Sequence, residues 1–325
     1  MDLRYFPLRR FLDGSVLPVS ALAILIIFGA AVVNGQEAKA EVLRIGTSGT
    51  LTAQKADNKR EQALLSTLKR FIEEETGLNN EIVHQENWRA LVDALDKGRL
   101  QMGIFQGYEF AWAQAKHRGI KPLALAINGS RYPVACVVVK HNNPAQDFAG
   151  LEGQSLDIPN TGPTFQRLFV QRQSQNRGKT LETFFSGVAS QENVEDALDN
   201  VVDGAVQVVV VEQTTLEAYK RRKPGRFQQL KEVARSQPFP PVVVAYCEKS
   251  IKLTTLLRFQ LGFRESSKKV SGETNLMLFR LTAFEAVPAD FAKVLVQTRQ
   301  AYPPPTPATT DSQPALDGVH ASERD

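Results

Sequence analysis

Apolar and polar positions along this chain fall into an alternating order of strand and helix. Val42-Leu43-Arg44-Ile45-Gly46 reads as a short strand that runs into a loop of small hydroxyl residues, Thr47-Ser48-Gly49-Thr50. Leu64, Leu65, Leu68, Phe71 and Ile72 recur at helical spacing, which predicts a helix over 57–76 with Gly77 as its stop. Residues 81–84 form a second strand, and Asn87 caps a helix from Trp88 to Leu95 that ends before Gly98. A third strand over 101–105 leads through Gln106 into a helix over 107–115. Strand and helix in this order, closely spaced, imply a parallel sheet with crossover helices. Two more strands follow, over 122–127 and 133–139.

After Lys140 the pattern begins again. A loop over 148–153 leads to Leu156-Asp157-Ile158, then to the turn Pro159-Asn160-Thr161-Gly162-Pro163-Thr164, then to a helix reaching about Gln173. Residues 184–188 read as a strand, and Ser190 as the cap of a helix through Val202. Val206–Val211 is a continuous apolar strand, as expected where both sheet faces are covered, and it ends at Glu212-Gln213. Residues 240–246 form another strand, helical pattern returns at 253–261, and a last segment reaches Tyr302. The fold class expected is α/β with two lobes, each a mainly parallel sheet with flanking helices. Lobe 1 would comprise 41–133 completed by 246–302, and lobe 2 would comprise 134–245. The strands 134–139 and 242–246 would serve as hinges. Pro, Thr, Ser and Asp dominate 303–325, which reads as a disordered tail.

The amino terminus adds an address. Arg4, Arg9 and Arg10 precede an uncharged apolar stretch over 16–33, with small residues after it. Residues 1–35 have the layout of a secretory signal peptide, with an uncleaved membrane anchor as the alternative. Either places the globular part outside the cytoplasm, in the periplasm. The formal net charge is +4, and the densest basic cluster, Lys220–Lys223, falls at a helix end, so no nucleic-acid partner is expected. The two cysteines, Cys136 and Cys247, lie in apolar strands, and both a disulfide and two buried thiols remain open. The four histidines share no metal-ligand spacing and no nucleophile–base pair can be assembled, so neither cofactor, metal nor enzyme activity is expected.

Candidate ligand positions come from strand ends and helix starts, where backbone N–H groups are free and the helix dipole favours negative charge. In the first half they are Thr47, Ser48, Trp88, Gln106 and Tyr108; in the second, Asn160, Thr161, Thr164 and Glu212. Thr161 and Thr164 serve equally well as helix caps.

These segments carry a resemblance. Leu43–Gly46, Asn87–Leu95 before Gly98, Gly103–Phe105, Phe148–Gly153, Pro159–Phe165, Asp203–Val206 and Pro238–Val244 together resemble one family. It is that of the periplasmic substrate-binding proteins of phosphate-, phosphite- and phosphonate-type ABC transporters, of the type II periplasmic-binding, transferrin-like fold. The resemblance covers about 43–302. It implies a protein that closes two lobes over a small ligand, a phosphonate-like oxyanion or a related solute, and delivers it to an ABC permease. At its ligand positions the family carries Tyr where this chain has Trp88, and an aromatic at Phe105. Its Ser-Thr-Ser-Gly anion turn falls on Thr161–Thr164, and its His falls near Gln191. A second reading of the same fold is a membrane-tethered sensory or partner-binding domain, in contact with the membrane only through the N-terminal segment.

Overall fold

The computed structural model describes residues 42–48, 58–266, 276 and 281–305. The signal-peptide stretch and residues 306–325 of the expected tail lie outside the described residues. Among those described, no helix is long and apolar enough to cross a membrane.

The first half builds β1 (Leu43–Ser48), α1 (Asn58–Thr76), β2 (Asn80–Gln85), α2 (Trp88–Asp96), β3 (Met102–Phe105), α3 (Gly107–Lys116) and β4 (Ile120–Ile127). β1 pairs in parallel with β2 and with β3, as crossover helices require. α2 lies close over these strands because two glycines let it. A Cβ on Gly46 would sit 2.3 Å from Leu91, and one on Gly103 3.1 Å from Leu95 and 3.2 Å from Leu91. Asn87 caps α2, its side-chain oxygen accepting from the N–H groups of Arg89 (3.0 Å) and Ala90 (3.1 Å). Asn87→Ala is expected to cost about 1 kcal/mol, read as a lower urea midpoint at unchanged m-value; an unchanged midpoint would show that the cap contributes nothing.

The second half builds β5 (Ala135–Lys140), β6 (Ser155–Asp157), α4 (Phe165–Gln175), α5 (Leu181–Phe184), β7 (Gly187–Ala189) and α6 (Val194–Asp203). It continues with β8 (Val208–Glu212), α7 (Gln213–Arg222), α8 (Pro224–Phe227) and β9 (Leu230–Arg235). The chain then returns through β10 (Val242–Cys247), α9 (Leu253–Ser266), β11 (Ala283–Glu285) and α10 (Phe291–Ala301). The strand orders are β11-β4-β10-β3-β1-β2 and β7-β6-β8-β5-β9.

The architecture is the two-lobed α/β one, with corrections of detail. Among the described residues, parallel pairing is confined to β1, β2 and β3 and to β6, β7 and β8. Strands that return without a crossover helix join antiparallel, as β10 does against β3 and β4, and β5 against β8 and β9. The strands taken as hinges each belong to one sheet. β10 is the middle of the first sheet, so its assignment to lobe 2 fails, and the chain passes between sheets at 128–134 and 236–241. Leu181–Phe184 is a short helix, so the strand expected over 184–188 shrinks to Gly187–Ala189. Phe184 and Phe185 are buried in the second core, and their apolar run reflects that packing rather than strand pairing. Residues 149–151 of the expected loop form one 3-10 turn. α6 is capped by Asn193, whose side chain accepts from Glu195 N–H at 2.9 Å, rather than by Ser190.

Pro303–Pro305, assigned to the tail, run back to α2, where the Pro305 carbonyl accepts from Arg89 Nη2 at 2.6 Å. Phe291 and Leu295 of α10 pack into the core under β3 and β10. Phe259 and Phe263 of α9 share a core with Leu43 and Phe71. Cys136 and Cys247 are buried free thiols on different sheets. Burial pushes the Cys136 thiol up to about 12, with Glu232 adding to the effect. The basic end of α7 meets α6: Arg222 pairs with Glu195 at 2.6 Å, and Lys223 with Asp199 at 2.6 Å.

Candidate functional site

β1 and β3 are parallel, so their carboxyl ends share one edge of the first sheet; β6 and β8 do the same in the second. In open α/β sheets such edges are where ligands bind. The candidate residues fall at these two edges.

On the first lobe, Thr47 and Ser48 are the last residues of β1 rather than a loop, and side-chain alternation sends them to opposite faces. Thr47 follows Leu43 and Ile45 toward α1 and α9; it is buried and its hydroxyl has no partner. Ser48, also buried, donates to Glu109 Oε2 at 2.7 Å, and the Gln106 N–H donates to the same oxygen at 3.3 Å. Glu109 thus ties the β1 end to the start of α3. It was missed from sequence, although an acidic residue three positions into a helix is a capping signal.

Tyr108 follows on α3. Its ring meets Trp112 edge-on at 5.0 Å, and Trp112 in turn meets Trp88, the first residue of α2, at 5.7 Å. Trp112, one helical turn beyond Tyr108, was also missed, although positions four apart share a helix face. Phe105 is fully buried and packs against Phe110 at 5.9 Å, as a core residue.

On the second lobe, Thr164 precedes α4 and makes no side-chain capping bond. Its hydroxyl instead accepts from the Tyr108 hydroxyl at 2.9 Å, a bond between the lobes. Gln166, one turn position on, is 1 % exposed, and its carbonyl oxygen has no partner. That oxygen lies under Gly162, where a Cβ would come within 2.3 Å of it, so a side chain there would push the Gln166 amide aside. Asn160 and Gln191 meet: the Asn160 N–H donates to the Gln191 carbonyl at 2.8 Å. The Gln191 N–H in turn donates to Asp157 Oδ1 at 3.1 Å. Burial holds the Asp157 carboxyl above its ordinary range, with that N–H opposing. Thr161 is exposed beside them.

Glu212 ends β8 on the same face as Val208 and Val210, the face covered by α4. It is 5 % exposed and one carboxylate oxygen has no partner. Burial pushes its carboxyl up to about 6, with Thr214 opposing. The folded state therefore binds a proton more readily than the unfolded chain. Stability from this group is full below about 4.5 and declines as pH rises to about 6. Above that, the buried charge costs on the order of 2 kcal/mol. Glu212→Gln is expected to stabilise the protein by about that amount at pH 7 and not at pH 4. Equal melting shifts at both pH values would overturn the assignment.

The structure thus brings together Ser48 with Gln106, Tyr108 with Thr164 and Trp88, and Asn160 with Gln191. It leaves Thr47 on the far face of β1. Among the described residues, no three His, Cys, Asp or Glu side chains gather as metal ligands.

Two mixed α/β lobes, linked twice by the chain and facing each other across strand ends and helix starts, define a type II periplasmic binding protein. More narrowly, the chain belongs to the family described as the ABC transporter, phosphonate, periplasmic substrate-binding protein, whose profile matches residues 52–287. Members of that family are transport binding proteins that act outside the cytoplasm. Among solved structures, a Xanthomonas citri protein bound to chloride ion matches with a TM-score of 0.57 at 15% identity, covering 80% of this chain and 97% of its own. A binding protein component of an ABC phosphonate transporter from Pseudomonas aeruginosa matches at 0.51 and 11%, covering 79% and 85%. PhnD1 from Prochlorococcus marinus, in complex with methylphosphonate, matches at 0.50 and 14%, covering 80% and 97%. At these identities the likeness shows the fold alone. No curated protein matches the sequence.

Proposed function

We propose that this protein captures a small solute, a phosphate- or phosphonate-like oxyanion or a close relative, between its lobes and delivers it to an ABC permease. The observation that carries this reading is the Tyr108–Thr164 hydrogen bond, which joins the start of α3 to the start of α4 across the lobes. A bond of this kind is made only when the lobes approach, so it favours the closed arrangement, and a ligand that bridges the lobes favours the same arrangement. The start of α4, which has no side-chain cap, supplies backbone donors of the kind that bind oxyanions, and Trp88 and Tyr108 supply an aromatic wall. Ser48, Gln106, Asn160, Thr161, Thr164 and Gln191 are the polar groups proposed to contact the solute, with Glu212 selecting against excess negative charge.

The test is a thermal-shift screen of the purified protein over phosphate, phosphite, alkylphosphonates, sulfonates, amines and polyols. A saturable rise in melting temperature with a phosphorus oxyanion supports the reading, and no rise with any compound overturns it. With the active solute in hand, Tyr108→Phe is expected to weaken binding by about 2- to 10-fold, the worth of one net hydrogen bond of roughly 0.5–1.5 kcal/mol. Unchanged affinity would remove Tyr108–Thr164 from the closure device.

A further inference from the structure

A cavity of about 320 Å³ lies away from the facing strand ends, behind the second crossing segment. Its wall has three parts. Phe169 and Arg172 come from one face of α4, Arg235 and Gln237 from the end of β9 and the start of the crossing segment that follows it, and Ala301 and Tyr302 from the end of α10. The volume is at the small end of the roughly 300–1,000 Å³ typical of small-molecule sites.

The chemistry of the wall is one-sided, because it holds two guanidinium groups and no carboxylate. Arg235 is already engaged, with Nε 2.8 Å and Nη2 2.9 Å from the two oxygens of Glu232. Arg172 has no carboxylate partner among the described residues; its bond is a long one, 3.4 Å, to the Gln175 side-chain oxygen. Tyr302 is nearly buried, stacked on Phe239 at 4.5 Å, and its hydroxyl makes no hydrogen bond among the described residues. Cation and hydroxyl donors without acceptors, set beside phenyl and alkyl surface, suit a ligand with a carboxylate at one end and an apolar body at the other.

We propose that this cavity is a second binding site, for a small organic carboxylate whose charged end meets Arg172 and whose apolar body lies against Phe169 and Ala301. The site is built from both lobes, since α10 packs on the first-lobe core while α4 belongs to the second. Trp112 Nε1 donates to the Tyr302 carbonyl at 2.7 Å, which links the wall to the aromatic group beside Tyr108. An occupant therefore holds the lobes in the arrangement seen here, and its binding is coupled to that of the solute between them.

Titration calorimetry of the full-length protein with benzoate, and with benzamide as its neutral isostere, tests this. Benzoate is expected to bind in the millimolar range, and benzamide at least tenfold more weakly. Arg172→Gln is expected to weaken benzoate at least tenfold. Gln237→Glu, an exposed change that leaves Arg172 in place, is expected to do the same by charge repulsion. Arg258→Gln, which removes the same kind of charge from the exposed side of α9 on the first lobe, is expected to leave benzoate affinity within twofold. No benzoate binding, equal affinity for benzamide, insensitivity to both wall variants, or an equal loss in Arg258→Gln would each overturn the site. None of these outcomes bears on the solute screen above, which reads the facing edges.

Discussion

Gly107→Ala is expected to cost about 3 kcal/mol or more, the upper range for forcing atoms into a packed site. For a chain of this size that is a fall in melting temperature of roughly 4–6 °C. Gly107 opens α3, and the crossing segment lies directly on it. An added Cβ would sit 2.0 Å from the Pro240 carbonyl oxygen, 2.3 Å from that of Pro241 and 2.4 Å from the Pro240 carbonyl carbon. All three are backbone atoms, and two prolines give that backbone little freedom to move aside. Either α3 lifts, taking Tyr108 away from Thr164, or the crossing segment shifts and moves the second lobe. Solute affinity should therefore fall together with stability. A melting temperature within 2 °C of the parent would show that α3 and the crossing segment do not approach as described.

Phe239→Ala is expected to cost about 3–5 kcal/mol, as for a large aromatic removed from a tight core. Phe239 is fully buried in the crossing segment, 4.9 Å from the Phe165 ring of α4 and 4.5 Å from the Tyr302 ring after α10. It is the point where the second-lobe helix, the crossing chain and the carboxyl end of the first-lobe helix meet. Its loss empties the centre of that stack, and neighbours from three separate elements cannot all collapse into the space. Phe239→Leu, which keeps most of the volume, should lose markedly less. Urea unfolding reads both variants, and a Phe239→Ala cost under about 1 kcal/mol would place the stack outside the folding core.

Much of the fold was legible along the chain because its signals are local. The apolar spacing of α1, the Asn87 cap and Gly98 stop of α2, and the unbroken valine run of β8 each act within a few residues, and each element formed near where it was read. The order of strands and helices was enough to expect two α/β lobes, since parallel strands need crossover helices between them. The errors cluster where partners distant in sequence decide. Residues 184–188 read as a strand, but Phe184 ends a short helix and Phe185 follows it, both turning their rings into the second core, and only Gly187–Ala189 pairs as a strand, with β6. β10 reads as a link between lobes, yet β3 and β4 accept it as a central strand.

The turn at Asn160–Thr164 shows the division most clearly. By itself the sequence determined that a strand ends there, a helix starts there, and hydroxyl and amide groups lie between. Only the tertiary structure decided what those groups do. Thr164 accepts a bond from Tyr108, 56 positions away, instead of capping its own helix. Asn160 is held by Gln191, and Gln166 is left with a buried, unpartnered oxygen. Capping is a contest within one turn that residue type can settle. A bond across two lobes depends on where the crossing chain sets them, and that is settled by the packing of Gly107 against Pro240 and of Phe239 against Phe165 and Tyr302.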